Sequence, residues 1–143
     1  MLFGTLLVAV DGSPQAHRAV IAARELAGLS QGNLVLVYVQ EAVGPAGDGL
    51  SSGELDPGQQ DEVERLLATE IEAAGELGTP VTAKVRRADP SEVASVIVEV
   101  ALAERADMIA MGSRGLSALS ALVVGSNAYK LLHLAHCPVL VVH

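Results

Sequence analysis

The chain has 143 residues, half of them hydrophobic, with a single cysteine and a formal net charge of −8. That is enough apolar material for one core and too little length for two, so one domain over residues 1–143 is expected. Nine scattered basic residues against seventeen acidic ones, and aromatics at 2%, argue against nucleic acid or an anionic membrane as partner. Cys137 has no second cysteine to bridge, no apolar run reaches the roughly 18 residues a bilayer span needs, and no basic stretch precedes the first apolar run. A cytoplasmic protein is the expectation.

In chain order, a first strand is predicted at 6–10, followed by Asp11, Gly12 and the pair Ser13-Pro14, a capping side chain before a proline at the first helical position. Asp11 emerges at the carboxyl end of that strand, where an acid either bonds a ribose hydroxyl or caps the turn. Gly12 is the flexible turn residue. Ala16, Ala19, Val20, Ala23 and Ala27 then form one apolar helical stripe. A second strand at 34–39 leads into residues 41–55, rich in Gly, Ser and Pro and without periodicity, read as a loop that is either a flap over a ligand or a solvated connection.

Asp56-Pro57 opens a second helix with its stripe at Val63, Leu66, Leu67, Ile71 and Ala74. The third strand, 81–85, alternates and suits a sheet edge, and Arg86 and Arg87 after it read as a solvated end. Asp89-Pro90 starts a third helix, with Glu92 completing a capping-box pattern and Val93, Val96, Ile97, Val100 and Ala101 facing inward. A fourth strand at 108–111 and a helix from Ser126 to about Ala135, with Leu131, Leu132 and Ala135 inward, precede the last strand at 139–142. The order βαβαβαβαβ, with continuous apolar runs, predicts a doubly wound parallel sheet with helices on both faces. Ligands in such folds bind beyond the carboxyl ends of the strands, where the strand order reverses.

The most informative pattern is G-x-x-G-x9-G-S, made by Gly112, Gly115, Gly125 and Ser126. Glycine permits close backbone approach, and the first turn of a helix offers unpaired N–H groups and a positive dipole end, which together suit a phosphate. Ser126, Asn127 and Ala128 supply the first amides of the following helix, and the Ser126 hydroxyl either donates to the phosphate or caps the helix. Arg114, inside the motif, either grips phosphate oxygens or points to solvent. No lysine stands at the glycines as in a Walker A loop, and no base is placed to orient water, so the pattern reads as holding a phosphate chain, with any turnover slow.

His133, His136 and Cys137 straddle a helix end and lack the spacing of a metal site. Ser13 near His17 and Asp11 is accounted for by helix capping without a catalytic triad. The last strand is apolar throughout and ends the chain as an edge that either pairs with a second copy or is covered by a helix.

The segments LLVAVDGSPQAHRAV, ADMIAMGSRG, GSNAYKLL and HCPVLVV resemble the universal stress protein family along almost the full length. The resemblance implies a five-stranded parallel sheet of order 3-2-1-4-5, adenine nucleotide alpha hydrolase-like, and a homodimer through the last strand. It also implies that a chain carrying this glycine motif binds ATP, alone or with Mg2+. By the same resemblance Gly112, Gly115, Gly125 and Ser126 match the phosphate and ribose loop, Asp11 the acidic nucleotide contact, and Val39 the position whose backbone reads adenine. Asn127 stands where a small apolar or β-branched residue is common, and Ala88 replaces a frequent glycine. The candidate cofactor-binding set is Asp11, Gly12, Val39, Met111, Gly112, Arg114, Gly115, Gly125, Ser126 and Asn127, with no catalytic or metal-binding residue. The function it implies is an ATP-binding sensor or regulator in stress response, with a nucleotide-free interaction module or a slow ATPase of the same fold as alternatives.

Overall fold

Each apolar run predicted as a strand becomes one in the computed structural model, which describes residues 3–41, 57–113 and 125–143. The elements are β1 (Thr5–Val10), α1 (Pro14–Ser30), β2 (Asn33–Glu41), α2 (Pro57–Gly75), β3 (Val81–Ala88), a 3-10 turn (Pro90–Glu92), α3 (Val93–Ala103), β4 (Met108–Gly112), α4 (Ser126–Leu134) and β5 (Val139–Val142). All strand pairs are parallel, in the order β3-β2-β1-β4-β5. The reversal of direction therefore falls between β1 and β4.

Strand alternation divides the interior in two. Leu6, Val8 and Val10 of β1 and Leu34 and Leu36 of β2 pack with Ala19, Val20, Ala23 and Ala27 of α1 and Val63, Leu67 and Ala74 of α2. Leu7, Val35, Val37, Ile109 and Met111 pack on the opposite face with Val93, Ile97 and Val100 of α3 and Ala128 and Leu131 of α4. Covering both faces is why the strand sequences are apolar without a break.

Ser13 caps α1 as its sequence predicts, accepting from the Ala16 amide at 3.1 Å. The Asp89 cap differs from expectation. Its side chain makes no capping bond; instead the Glu92 amide donates to the Asp89 main-chain oxygen at 2.8 Å, a 3-10 turn forms, and α3 starts only at Val93. A tightened i to i+3 turn satisfies the same donor that the capping box would have served.

Two predicted inward positions turn outward: Ile71 is 39% and Leu132 50% exposed. On α2 the inward place next to Ile71 belongs to Glu70, which is buried and meets His17 Nδ1 of α1 at 3.0 Å. A carboxylate is tolerated there because the imidazole supplies its partner. Asp56 and residues 42–55 lie outside the described residues, whereas Glu41, placed in the loop by the sequence reading, is the last residue of β2 and pairs with Ala88.

The sheet has two unequal borders. β3 carries Lys84, Arg86 and Arg87, and β5 is VLVV, half-buried and hydrogen-bonded to β4 alone among the described strands.

Candidate functional site

The carboxyl ends of β1 and β4 meet at the switch point, with Gly12 just after β1 and Gly112 at the end of β4. After β1, the Asp11 carboxylate accepts from the Ser13 amide at 2.8 Å through Oδ1, a local turn that fixes this exposed side chain at the sheet edge. The turn-capping reading of Asp11 is thus realised, and the side chain remains exposed. Gly12 takes φ of +84°, and a Cβ there would stand 2.9 Å from Leu66 Cδ1. The positive φ is what favours glycine at this position, since the Leu66 methyl is the end of a flexible side chain that can turn aside.

Gly112 ends β4, paired with Val142. A Cβ on it would lie 2.7 Å from the Ala16 nitrogen and 2.8 Å from Gln15 Cβ. Its smallness lets the first turn of α1 press directly on the end of β4, so two elements of the site share one contact.

Ser113 follows, buried, and joins three elements. Its amide donates to the Val142 carbonyl at 2.8 Å, and its own carbonyl accepts from the Gly125 amide at 2.6 Å. The two ends of the chain between Ser113 and Gly125 are therefore held together at the sheet edge. Gly125 is the N-cap of α4 with φ −62° and ψ 156°, and no side chain caps the helix. The capping alternative for Ser126 is thereby excluded: it is exposed, at the first helical position. The Tyr129 amide finds the Gly125 carbonyl at 3.0 Å, so the three preceding amides of Ser126, Asn127 and Ala128 form the open helix end. Arg114 and Gly115 lie outside the described residues.

Met111 is buried and Val39 half-buried on the α3/α4 face of the sheet, with Ala9 between their strands. They make a short apolar shelf below Asp11. Tyr38, the neighbour of Val39, turns to the other face and donates to Gln40 Oε1 at 3.2 Å. Burial first, then the carboxylates of Asp11, Glu62 and Glu41, push its phenol above the ordinary value of 10.0. The unfolded chain therefore ionises first, and stability present below pH 10 is lost as pH rises past it. Tyr38→Phe is expected to flatten the loss of melting temperature between about pH 9.5 and 11, measured by circular dichroism.

The other polar groups resolve differently. His17 pairs with Glu70 and takes no part with Asp11 or Ser13. His133 stacks on Tyr129 with ring centroids 4.6 Å apart, and among the described residues no three His, Cys, Asp or Glu side chains group to hold a metal. Burial, with Asp107 nearby, raises the Cys137 thiol, away from reactivity. Arg86 and Arg87, expected at a solvated end, belong to β3. Arg86 is exposed, but Arg87 buries one guanidinium nitrogen that finds no hydrogen-bond partner.

Sequence reasoning missed Ser113 and Leu66. Ser113 sits inside the glycine motif, yet its part is played by main-chain atoms that no side-chain pattern reveals. Leu66 belongs to the helix stripe by its spacing, but its approach to Gly12 joins residues more than fifty positions apart.

A sequence model of the universal stress protein family matches residues 2–143. The chain belongs to that family. It is 34% identical over 142 residues to a universal stress protein from Thermus aquaticus, covering 99% of both chains. Its fold is similar to the crystal structure of a family protein from Burkholderia pseudomallei, with TM-score 0.75, 29% identity, and coverage of 99% of this chain and 96% of that one. It is also similar in fold to the universal stress protein from Archaeoglobus fulgidus in complex with dAMP, with TM-score 0.76, 22% identity and full coverage of both chains. Among the described residues no helix is long and apolar enough to cross a membrane.

Proposed function

We propose that this chain is an ATP-binding member of its family that acts as a nucleotide-dependent sensor or regulator in stress response. The observation that carries the reading is the pairing, at the switch point, of an exposed carboxylate fixed at the end of β1 with the uncapped amino terminus of α4. The amides of Ser126, Asn127 and Ala128 hold phosphate oxygens, Asp11 bonds the ribose, and the shelf of Ala9, Val39 and Met111 receives the base. Gly115 and Arg114 complete the phosphate loop in this reading. The solved dAMP complex of the Archaeoglobus fulgidus protein supports an adenine nucleotide as the ligand class. The triphosphate and its Mg2+ are the finer part of the proposal.

Residues 1–143 act as one domain, working in the cytoplasm as a homodimer through the free border of β5. In this reading the site holds its ligand, and occupancy rather than turnover carries the signal.

Purified protein, heat-denatured and clarified, is expected to release an adenine nucleotide detectable by mass spectrometry. ATP added at about a hundredfold excess over its Kd stabilises the fold by about 2.7 kcal/mol, which raises Tm by roughly 5–10 °C. Nucleotide-free protein whose Tm does not respond to ATP, ADP or AMP would identify the interaction-module alternative. Stoichiometric turnover in a single-turnover assay would identify the slow ATPase.

A further inference from the structure

Strand register lays one row of residues across the carboxyl edge of the sheet. Val39 of β2 pairs with Arg86 of β3, and it lies one residue beyond the last β1–β2 pair, Val10 with Tyr38, so it stands level with Asp11. Val8 pairs with Ala110 of β4, which brings Ser113 to the same level. From β3 to β4 the row reads Arg86, Val39, Asp11, Ser113. Neighbouring strands are about 4.8 Å apart, so the row spans roughly 14 Å.

The chemistry along the row is graded. The Ser113 end adjoins the open amino terminus of α4, Asp11 follows, Val39 is half-buried and apolar, and Arg86 closes the far end as an exposed cation. Lys84, two residues earlier on β3, is engaged with Glu104 at 3.3 Å. Arg86 has no carboxylate partner among the described residues: its Nη1 donates to the carbonyl of Val85 at 2.9 Å, and its other guanidinium nitrogens make no hydrogen bond there. An arginine beside an apolar shelf offers a planar, weakly hydrated cation to the face or edge of an aromatic ring.

We infer that Arg86 is a base-contacting residue of this site, its guanidinium lying against a purine seated on Val39. The inference rests on the nucleotide reading and deepens it. A nucleotide with phosphates at α4 and ribose at Asp11 points its base along the row toward β3. The two fused rings of a purine extend further in that direction than the single ring of a pyrimidine. Arg86 thus selects purine over pyrimidine nucleotides, and the selection is independent of the phosphate contacts.

Calorimetric titration of the full chain and of Arg86→Ala and Arg86→Gln with ATP, CTP and tripolyphosphate tests it. Both variants are expected to keep the parent melting curve, because Arg86 is exposed on a border strand. ATP affinity falls about two- to fivefold in both, CTP affinity changes less, and tripolyphosphate affinity is unchanged. Undiminished ATP binding in the variants overturns the inference. So does an equal loss for ATP and tripolyphosphate, which would mark a general charge effect. A parent chain that binds none of the three overturns the nucleotide reading itself, and this assignment with it.

Discussion

Replacing Gly112 with valine lowers the unfolding free energy by about 3 kcal/mol, the upper part of the range for overpacking a tight contact. For a chain of this size that is a fall in Tm of roughly 6–12 °C. The reason is the identity of the atoms a side chain would meet: the Ala16 nitrogen at 2.7 Å, Gln15 Cβ at 2.8 Å and the Gln15 carbonyl carbon at 2.9 Å. Two of the three are main chain of the first turn of α1, which cannot rotate away. Relief requires α1 to lift from β4, and that moves the Asp11 turn immediately before it. Nucleotide affinity is therefore expected to fall together with stability. Thermal melts with and without ATP separate the two effects: a valine variant that melts like the parent sinks the packing argument. One that is destabilised yet keeps the full ATP-induced shift shows that α1 placement is irrelevant to binding.

Leu131→Ala is expected to cost about 2–5 kcal/mol, and to do so unevenly across the molecule. Helix α4 has nine residues, and the side chains it buries fully are Ala128 and Leu131. Tyr129, Leu132 and Leu134 are exposed, so Leu131 supplies nearly all of the apolar area that holds α4 to the α3 side of the sheet. A nine-residue helix has little stability of its own in water. Truncating its anchor is expected to loosen α4 before the sheet unfolds, so hydrogen exchange should accelerate in α4 while β1 and β2 remain protected. ATP affinity, which in the proposed site depends on the α4 amides, drops in parallel. Uniform acceleration across all strands would show instead that α4 is not a separate unit.

The strands and the starts of α1 and α2 were legible because apolar runs and a proline at the first helical position are local signals. The apolar pattern of β3 stops at Val85, where Arg86 and Arg87 break it, yet the ladder to β2 continues through Gln40 with Arg87 and Glu41 with Ala88. Border strands tolerate charge, so polarity marks their ends poorly. Glu70 illustrates the converse: a carboxylate facing inward is invisible until His17, 53 positions earlier, is brought to 3.0 Å.

The site was legible in its residue types more than in their tasks. Glycine at 112 was expected for approach to a ligand, and the structure shows it also required by helix α1. Asp11 was open between two uses, and its bond to the Ser13 amide shows how one carboxylate serves the turn through one oxygen while remaining at the edge. The pinning of Ser113 to Gly125 is main-chain geometry, which composition cannot encode.

The chemical inequality of the two sheet borders sets a ceiling on assembly. Extending a sheet from molecule to molecule without limit needs two adhesive edges, one to give and one to receive. The border formed by β3 presents Lys84, Arg86 and Arg87, whose like charges repel a second copy of the same strand. Only the VLVV border of β5 is free of charge. Association through it, the proposed mode, uses up the adhesive edge of both partners at once, so the complex closes at two and leaves no end from which a fibre could grow.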